Sequence, residues 1–207
     1  MDTDLTASHY TRTAVGLHWL VAGLIITGLF MGWTMTSMEV SPQKLKVYNW
    51  HKWVGVTVLL LAILRLVWRL THRPPPLSAA TPPWQRVAAH GGHALLYVLM
   101  LVMPLTGWIY SNLTGYPVVY LGKIPLPDLV ERNRELAETW VKVHATLGIV
   151  LAVVVVGHVL AALYHQFLMR DGTLLRMLTW RAPPKRGDSP CNQPVWSPPR
   201  CWPPRAC

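Results

Sequence analysis

The chain reads as an all-α integral membrane protein: a four-helix bundle with both termini in the cytoplasm and a disordered C-terminal tail. Three observations predict this. The stretch from Val143 to Met169, VHATLGIVLAVVVVGHVLAALYHQFLM, holds 27 residues with no Asp, Glu, Lys or Arg, and about 20 such residues span a bilayer as a helix. The 207 residues are 52% hydrophobic and only 14% charged, too apolar for a soluble domain and enough for four spans with short loops. The net charge of +10 is carried by basic residues that flank the apolar runs. That distribution belongs to membrane orientation and argues against nucleic acid as a partner.

The first span is expected over about 13–38, with His18 near its start as the only titratable group. Its apolar run is too long for a cleavable signal peptide and has no small-residue cleavage site. Ser41-Pro42 opens the second helix, with serine at the cap and proline at the first helical position. That helix runs to about His72, its span covering 48–71. The charge-free core from Trp53 to Leu64 is only 12 residues long, so Arg65 and Arg69 must snorkel or pair with an anion. The Pro-rich stretch RPPPLSAATPPW ends it. The third span lies at 88–112, and Pro104 is expected to kink it by leaving the Met100 carbonyl without its donor.

A loop rich in turn residues follows, from Thr114 to Pro127. Residues Asp128 to Glu138 read as a charged, interfacial helical run leading into the fourth span at 141–169. After Arg170 the basic amphipathic piece DGTLLRMLTW is expected on the membrane surface. Residues 1–182 thus form one transmembrane domain. Residues 183–207 hold eight prolines and all three cysteines, Cys191, Cys201 and Cys207, and read as a disordered tail. Without CxxC or CxxCH, neither a dithiol redox motif nor a covalently attached c-type haem is indicated.

Orientation follows from counting. With the N-terminus inside, the inner side carries twelve Lys and Arg and the outer side seven, the latter diluted by five of the nine acidic residues. Both termini therefore belong in the cytoplasm.

That topology sets depth. His18 and His158 fall near the inner level, His51 and His144 near the outer one. His144 and His158 are 14 residues apart, within about 40° of four whole turns and roughly 21 Å apart along the axis. Histidine at membrane depth is costly and marks a functional site with a partner. Two depth-matched imidazole pairs are what two b-type haems need when they only carry electrons, since two strong axial ligands leave no open position at the iron. Small residues stand four positions after each, Ala22, Gly55, Gly148 and Ala162, leaving room for a porphyrin. His90 also has Ala94 at that offset, and on spacing alone His90 or His93 could replace His18 as the partner of His158. Arg65 and Arg69 are one turn apart near the inner level, placed either to snorkel or to pair with haem propionates.

Residues 8–180 resemble the bacterial cytochrome b561 family of small di-haem, quinone-linked cytochromes. The resemblance rests on LHWLVAGLI in the first span, WHKWVGVTVLLLAILRLVWRL in the second, AHGGHALLYVLMLVMPLTGWIYS in the third, and VHATLGIVLAVVVVGHVLAALYHQ followed by DGTLLRML. It implies axial ligation by His18, His51, His144 and His158, and sets His90 and His93 aside as family histidines that are not ligands. It further implies two haem b groups and electron transfer across the bacterial inner membrane between a periplasmic-side donor, superoxide among the candidates, and ubiquinone. The alternative is a cytochrome b subunit that carries electrons for a larger dehydrogenase or hydrogenase. A haem-free metal transporter using the same histidines is the reading from another class. The Cys- and Pro-rich ending has no counterpart in the family.

Overall fold

Four helices carry the architecture: α1 (Arg12–Ser37), α2 (Pro42–Thr71), α3 (Pro83–Thr114) and α4 (Arg134–Tyr164). All four are long and apolar enough to cross a membrane. The computed structural model describes residues 10–72, 82–169 and 174–178. The expected tail at 183–207 lies outside them, as do 171–173 and 179–180 of the segment expected on the membrane surface.

Helix starts follow their caps. The Thr11 hydroxyl accepts from the Ala14 amide, the Ser41 hydroxyl from the Lys44 amide, and the Asn133 side chain from the Leu136 amide. Each satisfies one of the amides that a helix start leaves without an intrahelical partner. Two boundaries differ from expectation. α3 begins at Pro83, five residues before Ala88, because a proline at the first helical position has its φ already set and no amide to lose. It continues as helix through Pro104.

Residues Asp128 to Asn133 are not helical, and α4 starts at Arg134. The buried Asn112 explains this. Its Nδ2 donates to Asp128 Oδ1 at 2.5 Å, and its Oδ1 accepts the Leu129 amide at 3.1 Å. The segment is pinned across the end of α3 and cannot wind until Asn133 caps the next helix.

Neighbouring helices pack in chain order, α1 on α2, α2 on α3 and α3 on α4. The turn-rich loop contains a minimal hairpin, β1 (Val119–Tyr120) against β2 (Ile124–Pro125). Gly122 takes a positive φ of 70° in its turn, which costs glycine little. Trp53 Nε1 donates to the Val119 carbonyl at 2.7 Å and ties the hairpin to α2.

At the far end of the chain, α4 continues as a π-turn, His165–Met169. A single turn, α5 (Leu175–Leu178), follows, and the Met177 carbonyl accepts from Trp19 Nε1 at 2.7 Å.

The core is one apolar layer drawn from all four helices: Val21 and Ile25 on α1, Val58 and Ala62 on α2, Leu99 and Met100 on α3, and Leu151 on α4. Large apolar side chains such as Phe30, Trp33, Leu70, Ile149 and Val153 cover the outside. Their solvent is lipid.

Candidate functional site

Helix α4 presents one imidazole on either side of the core layer. Leu151 stands seven residues from His144 and seven from His158, about 10 Å each way. At one level His158 faces His18 of α1, with ring centroids 6.3 Å apart. At the other His144 faces His51 of α2, at 6.1 Å. All four rings are half-buried.

These spacings have a chemical meaning. An imidazole nitrogen binds a transition metal at about 2 Å and lies roughly 1.2 Å from its ring centroid, so ligands on opposite sides of one metal have centroids about 6.4 Å apart. Both pairs sit at that separation. Among the described residues the extended packing of α4 is on α3, so each pair bridges from α4 to a helix it does not pack along. Gly55, one turn after His51, has open space where a Cβ would stand. The residues therefore fit a flat metal macrocycle held between two histidines at each level.

The polar partners orient the rings. The Thr106 hydroxyl donates to the Met103 carbonyl at 2.7 Å and lies 3.0 Å from His144 Nδ1, so the ring faces that oxygen together with the Met103 carbonyl, which can only accept. His144 thus carries its proton on Nδ1 and keeps the Nε2 lone pair free. On α1 the partner is of the other kind. Arg65 lies 2.9 Å from His18 Nδ1, and a guanidinium only donates, so here Nδ1 accepts. His51 Nδ1 is buried and faces the Gly28 backbone without a well-formed hydrogen bond. Gly32 lies against its ring edge, where a Cβ would be 3.4 Å from Cε1. Gly107 is tighter, since a Cβ there would meet His144 Cε1 at 2.8 Å.

Arg65 and Arg69 both reach over the Tyr97 ring of α3, at 5.7 and 5.8 Å from its centroid. Both are half-buried, and Arg65 is turned into the bundle. The third-helix histidines separate. His90 is exposed, its Nδ1 2.6 Å from the Arg86 carbonyl. His93 joins the His18 cluster, 5.4 Å from the His158 ring, closer than two opposed ligands of one metal would stand.

Spacing alone places His93 at the level of His158, where it lies. Two residues of the site had no signal in the sequence: Thr106 and Gly107. Each acts through a residue on another helix, and spacing along one helix does not reveal its neighbour.

A membrane-crossing bundle with facing imidazole pairs at two depths defines the class, a transmembrane four-helix cytochrome. The chain belongs to the prokaryotic cytochrome b561 family, whose profile matches residues 9–180. It is 30% identical over 175 residues to the protein named cytochrome b561 homolog 2 of Escherichia coli strain K12, covering 84% of this chain and 93% of that one. It is 31% identical over 183 residues to the probable superoxide oxidase CybB of Yersinia pestis, covering 86% and 98%. Cytochrome b562 of Cereibacter sphaeroides is 31% identical over 175 residues, covering 82% and 94%. The chain is a bacterial membrane protein of haem-based electron transfer.

Proposed function

We propose that the chain carries electrons across the inner membrane, from a donor on the periplasmic side to ubiquinone, through two haem b groups. His51 and His144 hold the outer one, and His18 and His158 the inner one. The observation that carries this reading is the facing of two imidazole pairs at ligand separation, one on each side of the apolar layer around Leu151. Haem b between two imidazoles supplies a one-electron carrier with no open coordination position.

The protein's own residues do the rest. Thr106 holds His144 in the tautomer that presents Nε2. Arg65 and Arg69, stacked over Tyr97, place two cations at the inner level where haem propionates need them. The core layer keeps water out of the space between the levels. Superoxide is the donor we favour, since the relative from Yersinia pestis bears that activity in its name and is matched over nearly its whole length. Two superoxide anions each give up one electron and leave as dioxygen. One quinone takes both electrons with two protons and becomes quinol.

The test is quinol formation by purified protein exposed to a superoxide source and short-chain ubiquinone. The expected result is superoxide-dependent quinol formation, with a sharp reduced-minus-oxidised alpha band from haem. A protein without that band is no cytochrome, and one whose haems become reduced while quinone stays oxidised passes its electrons elsewhere.

A further inference from the structure

Between the last turn of α3 and the first turns of α4 lies a cavity of about 490 Å³, within the usual size of a small-molecule site. Its deepest lining residues along the two helices are Tyr110 and Val141. Tyr110 stands three residues beyond Gly107, and Val141 three before His144. The cavity therefore begins about 5 Å beyond the His51 and His144 pair, on the side away from the apolar core.

Two guanidiniums, Arg132 and Arg134, line it. The irregular segment before α4 presents the first. Asn112 holds Asp128 and Leu129 near one end of that segment. At the other end the Asn133 amide donates to the Leu113 carbonyl at 3.1 Å. Arg132 is thereby laid across Gly115, the C-cap of α3. A Cβ at Gly115 would meet Arg132 Cδ at 3.0 Å and Nε at 3.1 Å, and the φ of 80° there suits only glycine well. Arg134 occupies the first turn of α4. Neither guanidinium has an ion pair or hydrogen bond among the described residues. Glu138, one turn after Arg134, is also in the wall and pairs with neither.

Two unpaired arginines around a preformed space suit an oxyanion, phosphate above all. The membrane-crossing helices α3 and α4 end and begin here, at Thr114 and Arg134, so the cavity stands at headgroup depth. Tyr110 and Tyr116 in its wall are of the type that favours that level. Leu136 and Val141 on α4 are exposed and apolar, as a surface running down to acyl chains must be. Glu138 adds discrimination. A purely anionic head meets it as repulsion, whereas a primary ammonium carried close to the phosphate meets a partner.

We propose that this cavity binds the head of a zwitterionic aminophospholipid, with its phosphodiester between Arg132 and Arg134 and its ammonium at Glu138. The site is independent of the electron donor and acceptor. A lipid bound there ties the end of α3 to the start of α4, the two helices whose Thr106 and His144 meet one turn further in. A soluble phosphate ester offers the same oxyanion without acyl chains, and the test separates the two.

The full chain is purified from membranes, delipidated in detergent and titrated with phosphatidylethanolamine, phosphatidylglycerol or phosphatidylcholine, with bound lipid counted by native mass spectrometry. One phosphatidylethanolamine should bind per chain and raise the Tm. It should bind up to about fivefold more tightly than the other two, the range of an exposed ion pair, since choline has no N–H to donate and glycerol no charge. Arg132→Gln and Arg134→Gln should each weaken binding about tenfold, as loss of a charge-assisted hydrogen bond does. Glu138→Gln should keep the binding and lose the preference. Lys142→Gln, outside the cavity, should change nothing, and all four variants should keep the wild-type absorption and circular dichroism spectra. Wild-type protein that retains the three lipids equally overturns the assignment of Glu138. Arginine variants that bind as wild type does overturn the site. Phosphoethanolamine, the head without acyl chains, displacing the lipid at equal concentration overturns the lipid as ligand and leaves a site for a soluble anion.

Discussion

The Thr106 hydroxyl lies 3.0 Å from His144 Nδ1 while its only proton goes to the Met103 carbonyl. With that proton engaged, the threonine oxygen is placed to accept the imidazole N–H, beside the Met103 carbonyl that faces the same ring. Such a partner fixes the tautomer of a ligating histidine and raises its basicity, and its loss typically costs 10–100-fold in metal affinity. Thr106→Val keeps the shape and removes the acceptor. The variant should bind the outer haem about tenfold or more weakly, with the inner haem unaffected. Haem titration followed by the alpha band checks this, and equal affinity at both levels would show that the hydroxyl serves only its own helix.

Arg65 stands in the opposite relation to His18, donating to Nδ1. A histidine that binds metal through Nε2 carries its proton on Nδ1, and a guanidinium cannot accept it. Haem binding at this level should therefore release Arg65 for a propionate. The cation then favours the reduced, more negative haem, so Arg65→Met should lower the inner potential by tens of millivolts, where about 59 mV is tenfold for one electron. A redox titration that resolves the two haems is the check. An unchanged inner potential with full haem content would place Arg65 away from any propionate.

Gly107 lets the His144 ring lie against α3. A Cβ there would stand 2.8 Å from Cε1, and the ring is held from the same helix by Thr106. Gly107→Ala should displace the imidazole, with an overpacking cost of about 1–3 kcal/mol, and broaden or shift the outer-haem spectrum. Gly91→Ala, on the same helix, has open space for its Cβ and should be neutral. Matching spectra for the two variants would contradict the close approach.

Haem stoichiometry tests the histidines directly. Wild-type protein should hold two haems per chain, His144→Ala should lose the outer one and His18→Ala the inner one. Because His144 and His158 share α4, replacing both should remove all haem. A wild-type ratio near one, or a double variant that keeps a bis-imidazole spectrum, would overturn the assignment. His93, 5.4 Å from His158, makes His18→Ala/His93→Ala the necessary companion, since a nearby imidazole can take a vacated position.

The sequence by itself determined what depends on periodicity and hydropathy. The four long apolar runs, the Ser41 cap and the 14-residue spacing of His144 and His158 all follow from residues close in the chain and from the fixed pitch and rise of a helix. Matching depths for His18 with His158 and for His51 with His144 also follow, because spans of known direction act as rulers. What only the tertiary structure decided is which side chains meet across helices: Thr106 with His144, Arg65 with His18, and His93 with His158. These depend on the rotation of each helix about its axis and on which helices are neighbours, and both are set by packing throughout the bundle. The same reason explains the one segment expected as helix and found irregular. Residues Asp128 to Asn133 are held in an irregular path by the buried Asn112, sixteen residues before Asp128, and local propensity carries no trace of so distant a partner.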